Sequence, residues 1–293
     1  MGARKGVILS GGKGTRLLPL THVTSKQLLP VYDKPMIYYP LSTLMMAGIR
    51  EIMIISSSYD LYRFQALFED GSHLGIKITY GVQEIPRGIA DAFLVAEAFI
   101  GQDPVALILG DNIFCGSQIE EAILPENIVE EGATIFAYEV SHPEKYGVLK
   151  FNEEERVVDL VEKPVHPPSS FAVPGLYFYD SSVMEKAKQL SFSDRGELEI
   201  TDVNRAFIRR GKMNVVKLGR GSAWFDAGSF EDLHKASTYI QIIQRMHNIK
   251  IGCIEEIAFL KRFIDQNQLE VLAKNHEGSE YGAYLYSLKR DLL

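Results

Sequence analysis

Lys5-Gly6-Val7-Ile8-Leu9-Ser10-Gly11-Gly12-Lys13-Gly14-Thr15-Arg16 joins a short apolar run to a glycine-rich, cationic loop. Residues 5–10 read as a buried strand. Glycines let the backbone turn sharply and bring its N–H groups against an anion, and Arg16 adds a planar fork of donors for phosphate oxygens. The loop is not of the G-x-x-x-x-G-K-[ST] kind, because no Gly-Lys-Ser/Thr closes it, and its glycine spacing does not meet the dinucleotide fingerprint. Alone it says only that an anion fits here; a tight strand-to-helix turn with no ligand explains the glycines equally well.

Downstream the alternation repeats. Apolar runs at 51–56, 77–83 and 105–110 are separated by helical patterns at 36–47, 59–68 and 89–100, the first of them preceded by Pro35 and closed by Gly48. This βαβ grammar predicts a mostly parallel sheet with helices on both faces. Strand-like runs at 134–140, 147–151, 157–162 and 173–179, with a polar tip at 152–156, predict antiparallel pairing in the middle of the chain. Helical patterns return at 182–190 and 201–210, and strands at 214–218 and 223–226. A long helix starts after Ser229, where Ser229 and Asp232 predict a capping box. In the last segment Ile254, Ile257, Ala258 and Phe263, then Tyr281, Tyr284, Leu285 and Leu288, recur at helix spacing, either to pack on the core or to meet another subunit. Without repeats or linkers, residues 1–293 read as one domain: halves at 1–115 and 116–240, and a helical extension at 241–293.

The 293 residues, 46% of them hydrophobic, suffice for one substantial core without disulfides. Cys115 and Cys253 fit neither a disulfide framework nor a zinc spacing, which points to a reduced, cytoplasmic setting. The apolar run within residues 1–10 is too short for a signal peptide or a membrane span, so no membrane partner is expected. A formal charge of −7, from 31 basic and 38 acidic side chains, argues against a broad nucleic-acid surface. Any phosphate must therefore meet locally concentrated positive charge.

Two further cations stand out. Lys26 lies in Ser25-Lys26-Gln27-Leu28-Leu29-Pro30, and Lys163 in Val161-Glu162-Lys163-Pro164. Their ordinary reading is a solvated lysine and a surface ion pair worth under about 1 kcal/mol. Asp111 follows the apolar run 105–110, at the carboxyl end of a strand, where open α/β sheets gather ligands. Asp226, in Trp224-Phe225-Asp226-Ala227-Gly228, also ends a short apolar run and is otherwise a turn or capping residue. Two such carboxylates can share one Mg²⁺, a hard cation that keeps several waters.

With these residues in place, the chain resembles the sugar nucleotidyltransferase family, and within it the glucose-1-phosphate thymidylyltransferases. Residues 9–16, 25–30, 32–40, Gln83 with 86–93, 110–116, 162–164, 173–179 and 195–202 carry the resemblance, which spans nearly the whole chain. It implies an α/β fold with a Rossmann-like mixed central sheet, nucleotide bound by the first half and sugar by the second. It places dTTP on Leu9, Gly11, Gly12, Gly14, Thr15, Arg16, Lys26, Gln27, Gln83, Pro86, Gly88 and Asp111. Glucose 1-phosphate falls to Asn112, Tyr146, Gly147, Glu162, Lys163, Val173 and Trp224, and Mg²⁺ to Asp111 and Asp226. The implied catalytic set is Arg16, Lys26, Asp111, Lys163 and Asp226. The resemblance further implies a homotetramer built as a dimer of dimers, feedback regulation, and a place at the first step towards dTDP-rhamnose and related deoxysugars.

Departures are few: Ser10 stands where many relatives have Ala, Cys115 where an aromatic is common, and Ala227 where Thr is common. Cys115 falls near a region that in the family can belong to a second, regulatory nucleotide site. The Gln83 amide offers both an acceptor and a donor, so by itself it does not separate thymine from uracil. A UTP-using relative, or one with another hexose phosphate, stays open. A silent nucleotide sensor would not need Asp111, Asp226 and Lys163 together, and a nicotinamide dehydrogenase conflicts with the loop spacing and with Arg16.

Overall fold

The computed structural model describes residues 4–288; residues 1–3 and 289–293, the outer ends of the N-terminal stretch and of the expected helical extension, lie outside the described residues. In chain order the strands are β1 (Lys5–Leu9), β2 (Pro30–Val31), β3 (Lys34–Pro35), β4 (Glu51–Ser56), β5 (Lys77–Val82), β6 (Val105–Leu109), β7 (Asn112–Cys115), β8 (Ala133–Glu139), β9 (Gly147–Phe151), β10 (Val157–Glu162), β11 (Phe171–Ala172), β12 (Leu176–Tyr179), β13 (Met213–Lys217) and β14 (Ala223–Asp226). The helices are α1 (Tyr38–Met46), α2 (Ser58–Phe68), α3 (Asp91–Val95), α4 (Glu97–Ile100), α5 (Ser117–Ala122), α6 (Val183–Lys188), α7 (Ile200–Arg209), α8 (Phe230–His247), α9 (Ile254–Leu260), α10 (Gln266–Asn275) and α11 (Glu280–Ser287).

β1 sits inside a ten-stranded sheet of order β10-β9-β11-β8-β12-β6-β1-β4-β5, with β13 pairing with β8. β1, β4, β5 and β6 are mutually parallel neighbours, whereas β12 runs antiparallel to β6 and starts a half whose pairings are antiparallel except that of β13 with β8. Strands buried on both faces feed two cores alternately. Val7, Val105 and Leu107 enter one core with α3, α6 and α7, while Ile8, Ala106 and Ile108 enter the other with α1, α2 and the C-terminal helices. Close packing shows at Gly6, where a Cβ would fall 2.8 Å from Leu44 Cδ1 of α1.

Several boundaries differ from the sequence reading. The helix expected over 89–100 starts at Asp91, because Ala92 and Phe93 N–H donate only three residues back, to Ile89 O at 3.1 Å and Ala90 O at 3.2 Å, leaving 89–90 outside the α-helical turn. It divides at Ala96 into α3 and α4, still bridged because Ala96 donates back to Ala92 O at 3.0 Å and its own carbonyl accepts from Ile100 N–H at 2.8 Å. The run 173–179 is a strand only from Leu176; Ala172 pairs in the separate strand β11, and 173–175 curve past the site. Ser229 caps α8 by accepting from Asp232 N–H at 3.2 Å, but the Asp232 carboxylate accepts from the Ser229 hydroxyl rather than from the Ser229 N–H. Asp is one methylene shorter than the Glu or Gln that reaches back in a capping box. The reciprocal box occurs instead at Asp265 and Gln268, opening α10.

The C-terminal stripe packs intramolecularly. Ile254, Ala258 and Leu285 are buried in the α1-side core, with Ile257, Phe263, Tyr281, Tyr284 and Leu288 packed against it. Tyr281 and Tyr284 donate to Glu255 and Glu256 at 2.5 and 2.9 Å, so each phenol is satisfied within the chain.

Candidate active site

After β1 the chain enters no α-helix. It folds through three 3₁₀ turns, Thr15–Leu17, Leu20–His22 and Lys26–Leu28, which carry the glycine loop round to Lys26. Gly14 is required by its conformation, at φ 61°, and by space, since a Cβ would lie 2.9 Å from Thr21 Cγ2. Thr21 Oγ1 donates to Gly14 O at 2.8 Å and pins this turn. Gly11 backs onto Gln83, whose Oε1 would lie 2.7 Å from a Cβ there. Gly12 faces open space, and Thr15 and Arg16 are exposed. Gln27 is buried, accepts from Ser25 Oγ at 2.6 Å, and lies against Gly110. Leu9 ends β1 directly below the loop.

Lys26 is not a solvated surface lysine. It is only 9% exposed and forms an ion pair with Asp111, in the turn between β6 and β7. The second carboxylate arrives on a separate ribbon. β14 pairs antiparallel with β7 so that Asp226 stands opposite Asn112, and Ala227 N–H donates to Asp111 O at 3.0 Å. Gly228 makes room for Arg16, whose Nη2 would lie 2.5 Å from a Cβ at that position.

The two carboxylates respond oppositely to this crowding. Burial works against the charged form of Asp111, but Lys26 and a hydrogen bond from Asn112 Nδ2 at 3.0 Å outweigh it and hold its pKa below the ordinary value. Asp226 is pushed up to about 6, first by burial and then by repulsion from Asp111, against the opposing pull of Lys26 and Arg16. A pair of oxygen-donor carboxylates in mutual repulsion suits a hard divalent cation. Among the described residues no cluster of three or more His, Cys, Asp or Glu surrounds a metal position. Two carboxylates are the number Mg²⁺ commonly takes, with water and phosphate oxygens filling its octahedron.

Beyond Asp111 and Asp226 opens a cleft of about 230 Å³. It is lined by Arg16, both carboxylates and every residue assigned to glucose 1-phosphate from the sequence: Asn112, Tyr146, Gly147, Glu162, Lys163, Val173 and Trp224. The β9–β10 pairing sets Gly147 opposite Glu162, and Val173 N–H donates to Gly147 O at 2.9 Å. Glu162 is held open to the cleft by Thr201 Oγ1 at 2.6 Å and by Arg195 at 3.3 Å. Lys163 takes a positive φ of 43°, which costs a non-glycine residue roughly 1–2 kcal/mol, and its Nζ stands 3.8 Å from Glu162. Its N–H is anchored to Tyr146 O at 2.9 Å. Burial pushes the Tyr146 phenol up to about 12, with Asp226 adding to it, so it stays protonated.

Asn112 works on both sides. Its Oδ1 accepts from Trp224 Nε1 at 2.6 Å and from Gly175 N–H at 2.9 Å, while its Nδ2 orients Asp111. The residues assigned to the nucleotide from the sequence, other than Arg16 and Asp111, do not line this cleft; they adjoin it through the contacts of Gln83 with Gly11, of Gly14 with Lys26, and of Lys26 with Asp111. Gly88, at φ 103°, needs to be glycine in any case, because a side chain would collide with the Leu198 backbone. Pro86 is exposed in the same connection.

Tyr177, Thr201 and Arg195 received no role from the sequence. For Tyr177 a signal existed: Val173, Gly175 and Tyr177 all line the cleft, a period-two pattern in a run read as a strand. Cys115 is buried in β7 beside a second cleft, of about 820 Å³, and burial raises its thiol to about 12, so it behaves as an apolar wall. No helix among the described residues is long and apolar enough to cross a membrane.

A profile of the nucleotidyl transferase family matches residues 5–242. A glucose-1-phosphate thymidylyltransferase of Neisseria meningitidis is 51% identical over 97% of this chain and 99% of its own length. One from Xanthomonas campestris is 49% identical over 99% and 98%. Among solved structures, one described as a glucose-1-phosphate thymidylyltransferase from Bacillus anthracis, in complex with sucrose, superposes with a TM-score of 0.74 at 39% identity, covering 81% of this chain and 95% of that one. A UDP-glucose pyrophosphorylase complexed with UDP-glucose gives 0.71 at 25% identity, over 82% and 99%.

Proposed function

The chain belongs to the nucleotidyl transferase family of enzymes, and from that premise we propose that it transfers the dTMP part of dTTP to α-D-glucose 1-phosphate, giving dTDP-glucose and pyrophosphate. The observation that carries this reading is the meeting of Arg16, Asp111 and Asp226, with Lys26 paired to Asp111, in one cleft that Glu162 and Lys163 also line.

A phosphate oxygen of the sugar phosphate attacks the α-phosphorus in line; the new P–O bond forms as the bond to the bridging oxygen breaks, and pyrophosphate leaves. No enzyme nucleophile is needed, since the attacking oxygen is already anionic and the difficulty is to bring two polyanions together. Arg16 and Lys26 offset charge on the triphosphate, and Lys163 fixes the attacking phosphate. Glu162 and the Gly147 backbone take sugar hydroxyls, with Tyr146 and Trp224 as walls. Asp111 and Asp226 would hold Mg²⁺, whose contribution when bound is to neutralise phosphate charge as a Lewis acid.

A matrix of nucleoside triphosphates against hexose 1-phosphates, scored by pyrophosphate release, tests the reading: dTTP with glucose 1-phosphate should lead. Release with no sugar phosphate dependence, or none in any combination, would reject it. The second cleft, with Lys250, Lys261 and His247 on its walls, is proposed as the regulatory nucleotide site. Inhibition by a dTDP-sugar that stays competitive with dTTP under all conditions would exclude that role. Homotetramer assembly is likewise proposed, and light scattering decides it.

A further inference from the structure

Gln83 lies just past β5, with an amide whose two ends are chemically opposite, and the sequence leaves open which end meets the base. Its Nε2 donates to Asp91 Oδ2 at 2.8 Å, and the other Asp91 oxygen accepts from Arg87 Nη2 at 2.8 Å. Asp91, only 1% exposed, opens α3 and faces Gln83 from behind. A carboxylate in an ion pair only accepts, so the Gln83 NH₂ must turn towards it. The Gln83 carbonyl is thereby turned to the opposite side, against the backbone of Gly11 in the phosphate loop.

We propose that Asp91 is a positioning residue for base selection: it fixes Gln83 as an acceptor, so that the site takes pyrimidines carrying an N3–H donor and rejects cytosine. This rests on the assignment of dTTP to the site. Thymine and uracil present N3–H between two carbonyls, whereas cytosine presents an N3 lone pair beside an amino group. Against a fixed Gln83 carbonyl the first makes a hydrogen bond; the second sets acceptor against acceptor and leaves a desolvated polar group unpaired, a mismatch that gives polar sites strong discrimination. Arg87, half exposed at the surface, holds Asp91 in the orientation that faces Gln83.

The test is Asp91→Asn, nearly isosteric but able to present either a donor or an acceptor, so that Gln83 is free to pair in both orientations. Steady-state constants are measured for dTTP, dCTP and glucose 1-phosphate in the full-length enzyme. The expected result is that the dTTP-over-dCTP ratio of kcat/KM falls at least tenfold, mainly through the nucleotide KM, with the glucose 1-phosphate KM within twofold of wild type. An unchanged ratio overturns the proposal, and so does an equal fall in all constants, which a merely structural role would produce. Should the single variant not purify, Arg87→Ala with Asp91→Asn removes the guanidinium left without its carboxylate and carries the same expectation. A wild-type enzyme inert towards dTTP and UTP refutes the assigned reaction instead, a result distinct from failure of the Asp91 role.

Discussion

The two ends of the cleft hold their lysines in contrasting ways. At the end proposed for the nucleotide, Lys26 is built into a 3₁₀ turn, its side chain is 10% exposed, and it spends its charge on Asp111. At the end proposed for the sugar, the Lys163 side chain is 48% exposed, stands off Glu162 at 3.8 Å, and is presented by a backbone at φ 43°. The first arrangement stores positive charge inside the fold, where its partner would otherwise be a buried, uncompensated carboxylate. The second keeps a cation available and places the cost in the backbone. Removing a group at the nucleotide end should therefore disturb turnover and the fold together, whereas removal at the sugar end should touch substrate binding alone.

The strongest way to break that contrast is Asp111→Asn. It keeps the shape and the contact with Asn112 but removes the charge proposed to hold the metal and leaves Lys26 unpaired, so turnover should fall by roughly 10³-fold and Tm should drop by several degrees, while circular dichroism at the assay temperature still shows the native fold. Turnover at the wild-type level would falsify the metal role. Lys26→Met comes next, because breaking one side of a buried ion pair costs about 3 kcal/mol or more. Its Tm should drop by several degrees, while Lys163→Met should leave Tm where it was. Equal melting of the two variants would erase the distinction between the ends.

Lys163→Ala sharpens the other side. Losing one charge-assisted contact to phosphate, worth about 1.5–3 kcal/mol, should raise the glucose 1-phosphate KM by roughly 10- to 100-fold with the dTTP KM little moved. An unchanged rate at subsaturating sugar phosphate would remove Lys163 from the site.

The same contrast explains what was legible in the sequence. The nucleotide end is made of loops that follow parallel strands, and those strands announce themselves as continuous apolar runs, so Gly11 to Arg16 and Asp111 could be placed at carboxyl ends before any contact was known. The end proposed for the sugar is made of antiparallel strands and the loops joining them. Glu162 was legible as a residue, but Thr201 and Arg195, which hold its carboxylate, come from more than thirty positions downstream, and no local period links them. The same holds for the buried partnership of Lys26 with Asp111, 85 positions apart, and for Asn112, whose bond from Trp224, 112 positions away, depends on the β7–β14 ribbon. The capping box at Ser229 failed for a shorter-range reason, the length of the Asp232 side chain, and the stripe at Tyr281, Tyr284 and Leu288 carried no mark that its partners lie within the chain.

The smallest effect expected separates a positioned carboxylate from a movable one. Gly147 is not held at positive φ, so Ala is tolerated by the backbone, but its Cβ would lie 3.3 Å from Glu162 Oε2 and 3.6 Å from Thr201 Oγ1. Were Glu162 free, it would swing aside at little cost. Clamped by Thr201 at 2.6 Å and Arg195 at 3.3 Å, it has to strain instead. Gly147→Ala should then raise the glucose 1-phosphate KM by roughly threefold, the scale of one mildly strained side chain, with Tm and the dTTP KM unchanged. Adding Thr201→Val frees one side of the clamp, so the further effect of Gly147→Ala measured in that background should shrink. A penalty of the same size with and without Thr201 would mean that the methyl acts on the sugar directly, and that Glu162 is not held by the clamp.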